Sequence, residues 1–176
     1  MNSVTETAAR PAGGLSPADR REGKFLTFRL AENEYAIDIL AVREIIGVPD
    51  ITVVPQMPEF VKGVINLRGK VIPVVDLRQR FGLGETQHTE ETCIIVIDTG
   101  QDTGLIVDAV CEVIDIRDEQ IDPPPSMGAA VDTSFILGMG KVDDGVKIML
   151  DIEKVVDFQQ SRGVSEGSEE AGGHGG

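Results

Sequence analysis

The chain has 176 residues and a formal net charge of -14; 41% of it is apolar, only 4% is aromatic, and there is no tryptophan. A balance this acidic repels phosphate backbones and anionic lipid surfaces, which argues against nucleic acid as a general partner, and no apolar run approaches the ~20 residues of a membrane span, so no direct membrane insertion is expected. The length allows one ordinary domain or two very small ones, with a core of Val, Ile and Leu, a composition that favours strands.

The chain opens with "MNSVTETAARPAGGLSPADR". It lacks the apolar segment of a secretory signal, so a cytoplasmic location is expected. Residues 1–23 bury too little to offset their ordering entropy and are expected to be a disordered tail. The folded core is expected over 24–158.

From Phe25, "FLTFRLAENEYAIDILAVREII" reads as a strand, a polar turn, a second strand and a V-x-E-I segment. Glu44 is a lone acid within that last apolar segment. Pro58-Glu59-Phe60 suits a first helical turn, ended by Gly63. Residues 64–67 and 71–75 read as hairpin strands around Arg68-Gly69, with Gly69 supplying the positive φ of a tight turn. Pro73 marks an edge strand or a bulge. Arg68 either reaches into solvent or crosses to a carboxylate, for which Glu44 is the candidate. A phosphate cradle would want several glycines before a helix, and "NLRGK" has one between strands.

From Cys93 the chain repeats itself. "CIIVIDTGQDTGLIVDAVCEVI" aligns without a gap on the segment 68 positions earlier, placing Ile37 over Leu105, Ala41 over Ala109, Glu44 over Glu112 and Ile45 over Val113. "LGMGKVDDGVKIMLDIEKVV" aligns on the segment from Lys62 at an offset of 75, placing Gly63 over Gly138, Val71 over Val146 and Asp76 over Asp151. The extra residues fall in "RDEQIDPPPSMGAAVDTS", whose consecutive prolines make it a loop. Asp76 and Asp151 read as N-caps of short helices, each worth about 1 kcal/mol. The polar, Gly-rich residues 159–176 are expected to be a second disordered tail.

Two related halves, 24–91 and 92–158, follow from this repeat. Each offers two hairpins and a linking strand, and five short strands close most naturally into a small barrel. A half that small is marginal alone, so the halves should share an apolar interface. Cys93 and Cys111 sit in apolar strand-like runs and read as buried small hydrophobes rather than a disulfide or metal site. Neither a nucleophile motif nor a Cys–His pairing occurs, so no enzyme, no cofactor and no metal is expected. A carboxylate-based hydrolase is the alternative from another class.

"EYAIDILAVREI", "FVKGVINLRGKVIPVVDLRQRF" and "EQIDPPP" resemble the CheW family of bacterial chemotaxis coupling proteins, over about 25–156 and in family order. The resemblance implies a mainly all-β fold of two SH3-like five-stranded barrels with short helices. It implies a non-catalytic scaffold joining the cytoplasmic tip of methyl-accepting chemoreceptors to the regulatory domain of the histidine kinase CheA, assembled in rings within membrane-associated arrays. The alternative within this class is a structural array component that binds kinase without transmitting signal. Carried over residue by residue, the receptor-binding groove would comprise Glu44, Ile45, Gly63, Arg68, Gly104 and Val113. Asp122, Pro123 and Met127 would lie on a kinase-facing loop, where some relatives carry a basic residue and an aromatic.

Overall fold

The computed structural model describes residues 22–85, 87–125, 134–143 and 145–157. The tails expected over 1–23 and 159–176 fall outside these, except that the first strand already begins at Gly23. Strands β1 (Gly23–Leu30) and β2 (Asn33–Asp38) form a hairpin, and a 3₁₀ turn, Ile39–Ala41, leads into β3 (Val42–Gly47). A second hairpin, β4 (Val61–Leu67) and β5 (Lys70–Asp76), runs into the helical turn α1 (Leu77–Arg80). The second half follows the same order with β6 (Cys93–Asp98), β7 (Asp102–Val107) and β8 (Ala109–Ile116). A 3₁₀ turn, Asp118–Gln120, and the short β9 (Ile121–Asp122) precede β10 (Ile136–Val142), β11 (Gly145–Leu150) and α2 (Ile152–Val155).

The strands form two sheets, ordered β3-β6-β7-β5-β4 and β8-β1-β2-β11-β10-β9. Under the repeat these orders are the same, strand for strand, with β9 as an addition at one edge. Parallel β5–β7 pairing sets Val74 opposite Gly104, and parallel β11–β2 pairing sets Met149 opposite Ala36. These are equivalent pairs at the two offsets. The register shifts also repeat: one between Val61 and Gly63 recurs between Ile136 and Gly138.

The expected division into barrels over 24–91 and 92–158 needs correction. Each barrel takes its first hairpin from one half and its remaining strands from the other. The reason lies in the links. Were β3 to pair with β1 of its own half, Val42 would have to stand opposite Arg29, on the far side of β1 from Asp38. That requires about 16 Å from strand rise and spacing. Four residues reach about 14 Å fully extended, and Ile39–Ala41 are wound into a 3₁₀ turn. A single residue, Asp108, stands between β7 and β8, so the same geometry holds more severely there.

Side chains of successive residues alternate between faces, and here both faces are dry. On β6, Ile94 and Val96 enter the core of one barrel, while Ile95 and Ile97 enter the larger cluster between barrels. On β7, Ile106 and Leu105 divide the same way. On β2, Ala36 points into the second barrel with Phe25, Ile116 and Met149, while Tyr35 and Ile37 join the shared cluster. This explains why "CIIVID" reads as a continuous apolar run rather than an alternating one. The expected shared interface is the largest core of the molecule.

Candidate functional site

The bend between β4 and β5 is a two-residue turn in which Arg68 (φ +54°) and Gly69 (φ +87°) are both left-handed, as the twist of a hairpin favours. Asn66 fixes it: its Oδ1 accepts from the Gly69 backbone N–H at 2.8 Å. From this bend Arg68 Nη2 donates to Glu44 Oε2 on β3. Strands β3 and β4 stand at opposite ends of their sheet, so the ion pair fastens the two ends together across the barrel mouth. The pair expected from the sequence is present, and it lies at the surface: the Arg68 side chain is 67% exposed. An ion pair so wet contributes at most about 1 kcal/mol.

A second network lies beside it, which sequence reasoning missed. Arg43 bulges from β3, where the register with β6 shifts between Val42 and Glu44. Its Nε donates to Asp102 Oδ1 at 3.0 Å and its Nη2 to Asp98 Oδ2 at 2.7 Å. Lys70 Nζ reaches the other Asp102 oxygen at 3.3 Å. Burial pushes the Asp102 carboxyl up, but the hydrogen bonds and charges of Lys70 and Arg43 more than reverse this and hold it below the usual carboxylate range. The same Asp102 and Asp98 contacts raise the Arg43 guanidinium above its ordinary value. The signal in the sequence was the shared neighbourhood of "VREI", "NLRGK" and "DTGQD", visible only once β3, β5, β6 and β7 are known to share a sheet.

The remaining expected residues divide by burial. Ile45 and Val113 occupy equivalent positions on β3 and β8, the outer strands of different sheets, and are 45% and 50% exposed. Gly63 and Gly104 are buried. They shape the barrel rather than present a surface: a Cβ on Gly63 would lie 2.0 Å from the Thr52 carbonyl oxygen, and one on Gly104 would lie 2.8 Å from Ile94 Cγ2. Asp122 is exposed on β9 and pairs with Lys141 at 3.3 Å, and Pro123 beside it is exposed. Met127 lies outside the described residues.

Cys93 is partly buried, as expected, but Cys111 is exposed at a repeat position equivalent to Arg43. Its place on the β8 bulge turns it outward from the strand. Burial, then Glu34, pushes its thiol up, away from thiolate reactivity. Among the described residues no cluster of metal-ligating side chains occurs, and no helix is long and apolar enough to cross a membrane.

A family model for the CheW-like domain matches residues 24–160. The chain is 38% identical over 153 residues to the chemotaxis protein CheW of Klebsiella aerogenes, covering 84% of this chain and 92% of that one. It is 28% identical over 158 residues to protein FrzA of Myxococcus xanthus, covering 88% and 98%. The crystal structure of the scaffolding protein TtCheW from Thermoanaerobacter tengcongensis superposes with a TM-score of 0.67 at 45% identity, over 74% of this chain and 85% of that one.

Proposed function

The chain belongs to the CheW family of coupling adaptors, and we propose that it joins the cytoplasmic tips of methyl-accepting chemoreceptors to the regulatory domain of the histidine kinase CheA, without catalysing a reaction itself. The observation that carries this reading is the repetition of exposed apolar side chains. Ile45 on one barrel answers Val113 on the other, and Val71 answers Val146; all four are 45–66% exposed. A protein that only had to be soluble would gain nothing from keeping such positions apolar in both halves. An adaptor needs apolar contact surface beyond its core, and the repeat supplies it on both barrels.

In this reading the receptor is a helical hairpin that lays an apolar face against Ile45 and Val113. Glu44 and Arg68 hold the β3 edge in place beside it, and Gly63 and Gly104 act indirectly, by letting the barrel walls approach. Asp122 and Pro123, with Met127, form the kinase-facing loop. The acid at Asp122 favours a basic patch on the kinase there. Repetition of like faces also suits ring assembly with the kinase in cytoplasmic arrays recruited to the membrane by receptors.

Reconstitution tests this directly. Receptor-bearing membranes and CheA are assayed for autophosphorylation with and without the protein. Coupling predicts output that rises and becomes ligand-sensitive only when the protein is present, and that falls with Ile45→Asp or Arg68→Ala. Binding to both partners with unchanged output would make it a structural array component instead. Binding to neither would overturn the reading.

A further inference from the structure

The internal repeat supplies two equivalent junctions between a β-hairpin link and a helical turn, and they are finished differently. At the first junction, Arg78 of α1 lies on Asp108, with Nη1 3.0 Å from Oδ2. The same oxygen accepts from the Ala31 backbone N–H at 2.8 Å. The pair is mostly buried, 22% and 15% exposed. At the second junction the equivalent positions hold different chemistry: Glu153 stands where Arg78 does, Leu40 where Asp108 does, and Leu137 where Lys62 does. Among the described residues no cation stands there.

What remains is an open cleft of about 120 Å³ with Leu40 and Leu137 on its walls and Asp38, Asp98, Asp151 and Glu153 around it. Among the described residues none that lines it is basic. Two of the carboxylates are occupied: Asp38 Oδ1 accepts from the Leu40 N–H, and Asp98 takes Arg43 and the Gly100 N–H. Asp151 is not. Its equivalent, Asp76, caps its own helical turn through Arg78 N–H at 3.0 Å, whereas Asp151 makes no such cap bond. The residue is 8% exposed and lines the cleft, and its carboxylate has no hydrogen-bond partner among the described residues. The carboxylate of so nearly buried a residue gains from a cationic partner. Leu40, 71% exposed, leaves an apolar wall beside it.

We propose that this cleft is a docking site for an arginine side chain of a partner protein, its guanidinium on Asp151 and Glu153 and its stem along Leu40 and Leu137. The guest takes the place that Arg78 fills from within at the twin junction. The cleft is roomy enough for several waters and so for a guanidinium and its adjoining methylenes. Arginine fits better than lysine, since its planar fork serves two carboxylates at once and sheds water more readily. The site does not rest on the coupling reading, and its test uses the isolated protein.

The experiment is a nitrogen-15 amide titration of the full chain with the blocked dipeptide acetyl-Arg-Leu-amide. Two control peptides replace Arg with citrulline, its uncharged isostere, or with Glu. Saturable shifts are expected at Leu40, Asp151, Glu153 and Thr99, which also lines the cleft, weakened about tenfold with citrulline and absent with Glu. Glu153→Arg should abolish the shifts by filling the cleft as Arg78 fills its twin, and should raise the thermal midpoint. Glu153→Gln, at an exposed position that keeps the fold, should weaken binding severalfold. No saturable shift with the arginine peptide, equal binding of the citrulline peptide, or binding unchanged in both variants would each overturn the proposal.

Discussion

At the scale of the residue, Arg68 shows how the mouth of a barrel is tied to local backbone. Its left-handed φ is one that a side chain with a Cβ adopts at a cost of about 1 kcal/mol, and it keeps that conformation in a turn that glycine would fill at ease. Its ion pair with Glu44 is mostly solvated and returns at most a similar amount. The two terms nearly cancel, so Arg68→Gly should leave the thermal midpoint unchanged or slightly higher while removing the Glu44 link. A fall of several degrees on denaturation would show the pair to be structural. A double-mutant cycle over Glu44 and Arg68 should give a coupling energy below about 1 kcal/mol. The pair itself was legible in the sequence because a lone acid in an apolar segment is the nearest candidate for a base at a hairpin tip. Arg43 was not, because nothing in "VREI" says that its second residue is pushed out of register by a bulge.

At the scale of the element, the hairpins are positioned by close backbone approaches and by charge. Gly63 is buried at φ +144°, with the Thr52 backbone where a Cβ would stand. It lets the chain before β4 form the Thr52–Val64 bridge. Gly63→Ala should therefore lower stability by about 2 kcal/mol or more, through strain together with the displaced bridge, measured by chemical denaturation. Any loss of coupling in that variant would follow from the fold. Asp102 gives the same hairpins a pH dependence. Its carboxyl is held below the unfolded value of about 3.9 by Lys70 and Arg43 acting against burial. The stability it contributes is thus full above that unfolded value and is lost as pH falls through the lower folded one. Asp102→Asn should reduce stability at neutral pH and flatten the acid limb of a stability–pH curve. An acid limb parallel to that of the parent chain would show that the Arg43–Asp102–Lys70 network carries no part of it. The hairpin strands, their turns and both capping positions could be read from apolar runs and turn chemistry, whereas the short β9 lies in a stretch whose prolines read as a loop. The Asp151 carboxylate differs: it stands at a cap position yet makes no cap bond, a departure that no local pattern announces.

At the scale of the whole molecule, the repeat was legible and the exchange of hairpins was not. Two equivalent hairpins carry equivalent edges, so periodicity and register are satisfied equally whether β1–β2 joins its own half or the other. The deciding quantity is the reach of a short link, which is a matter of distance rather than of pattern. The result is that each barrel is completed by strands from both halves, and the largest apolar cluster draws Leu26, Phe28 and Ile37 from the first half and Ile95, Ile97 and Leu105 from the second. Neither half then holds a closed barrel or a finished core. Cleavage of the polar stretch between α1 and β6 should accordingly give two fragments, 1–91 and 92–176, each without a cooperative thermal transition. Mixed in equal amounts, they should regain one, at a midpoint that rises with concentration, since association and folding become the same event. The non-local pairings predict slow recovery, because chain closure must precede the contacts that reward it. A cooperative transition in either fragment alone would mean that a hairpin can close on its own half, and that the short links do not forbid it.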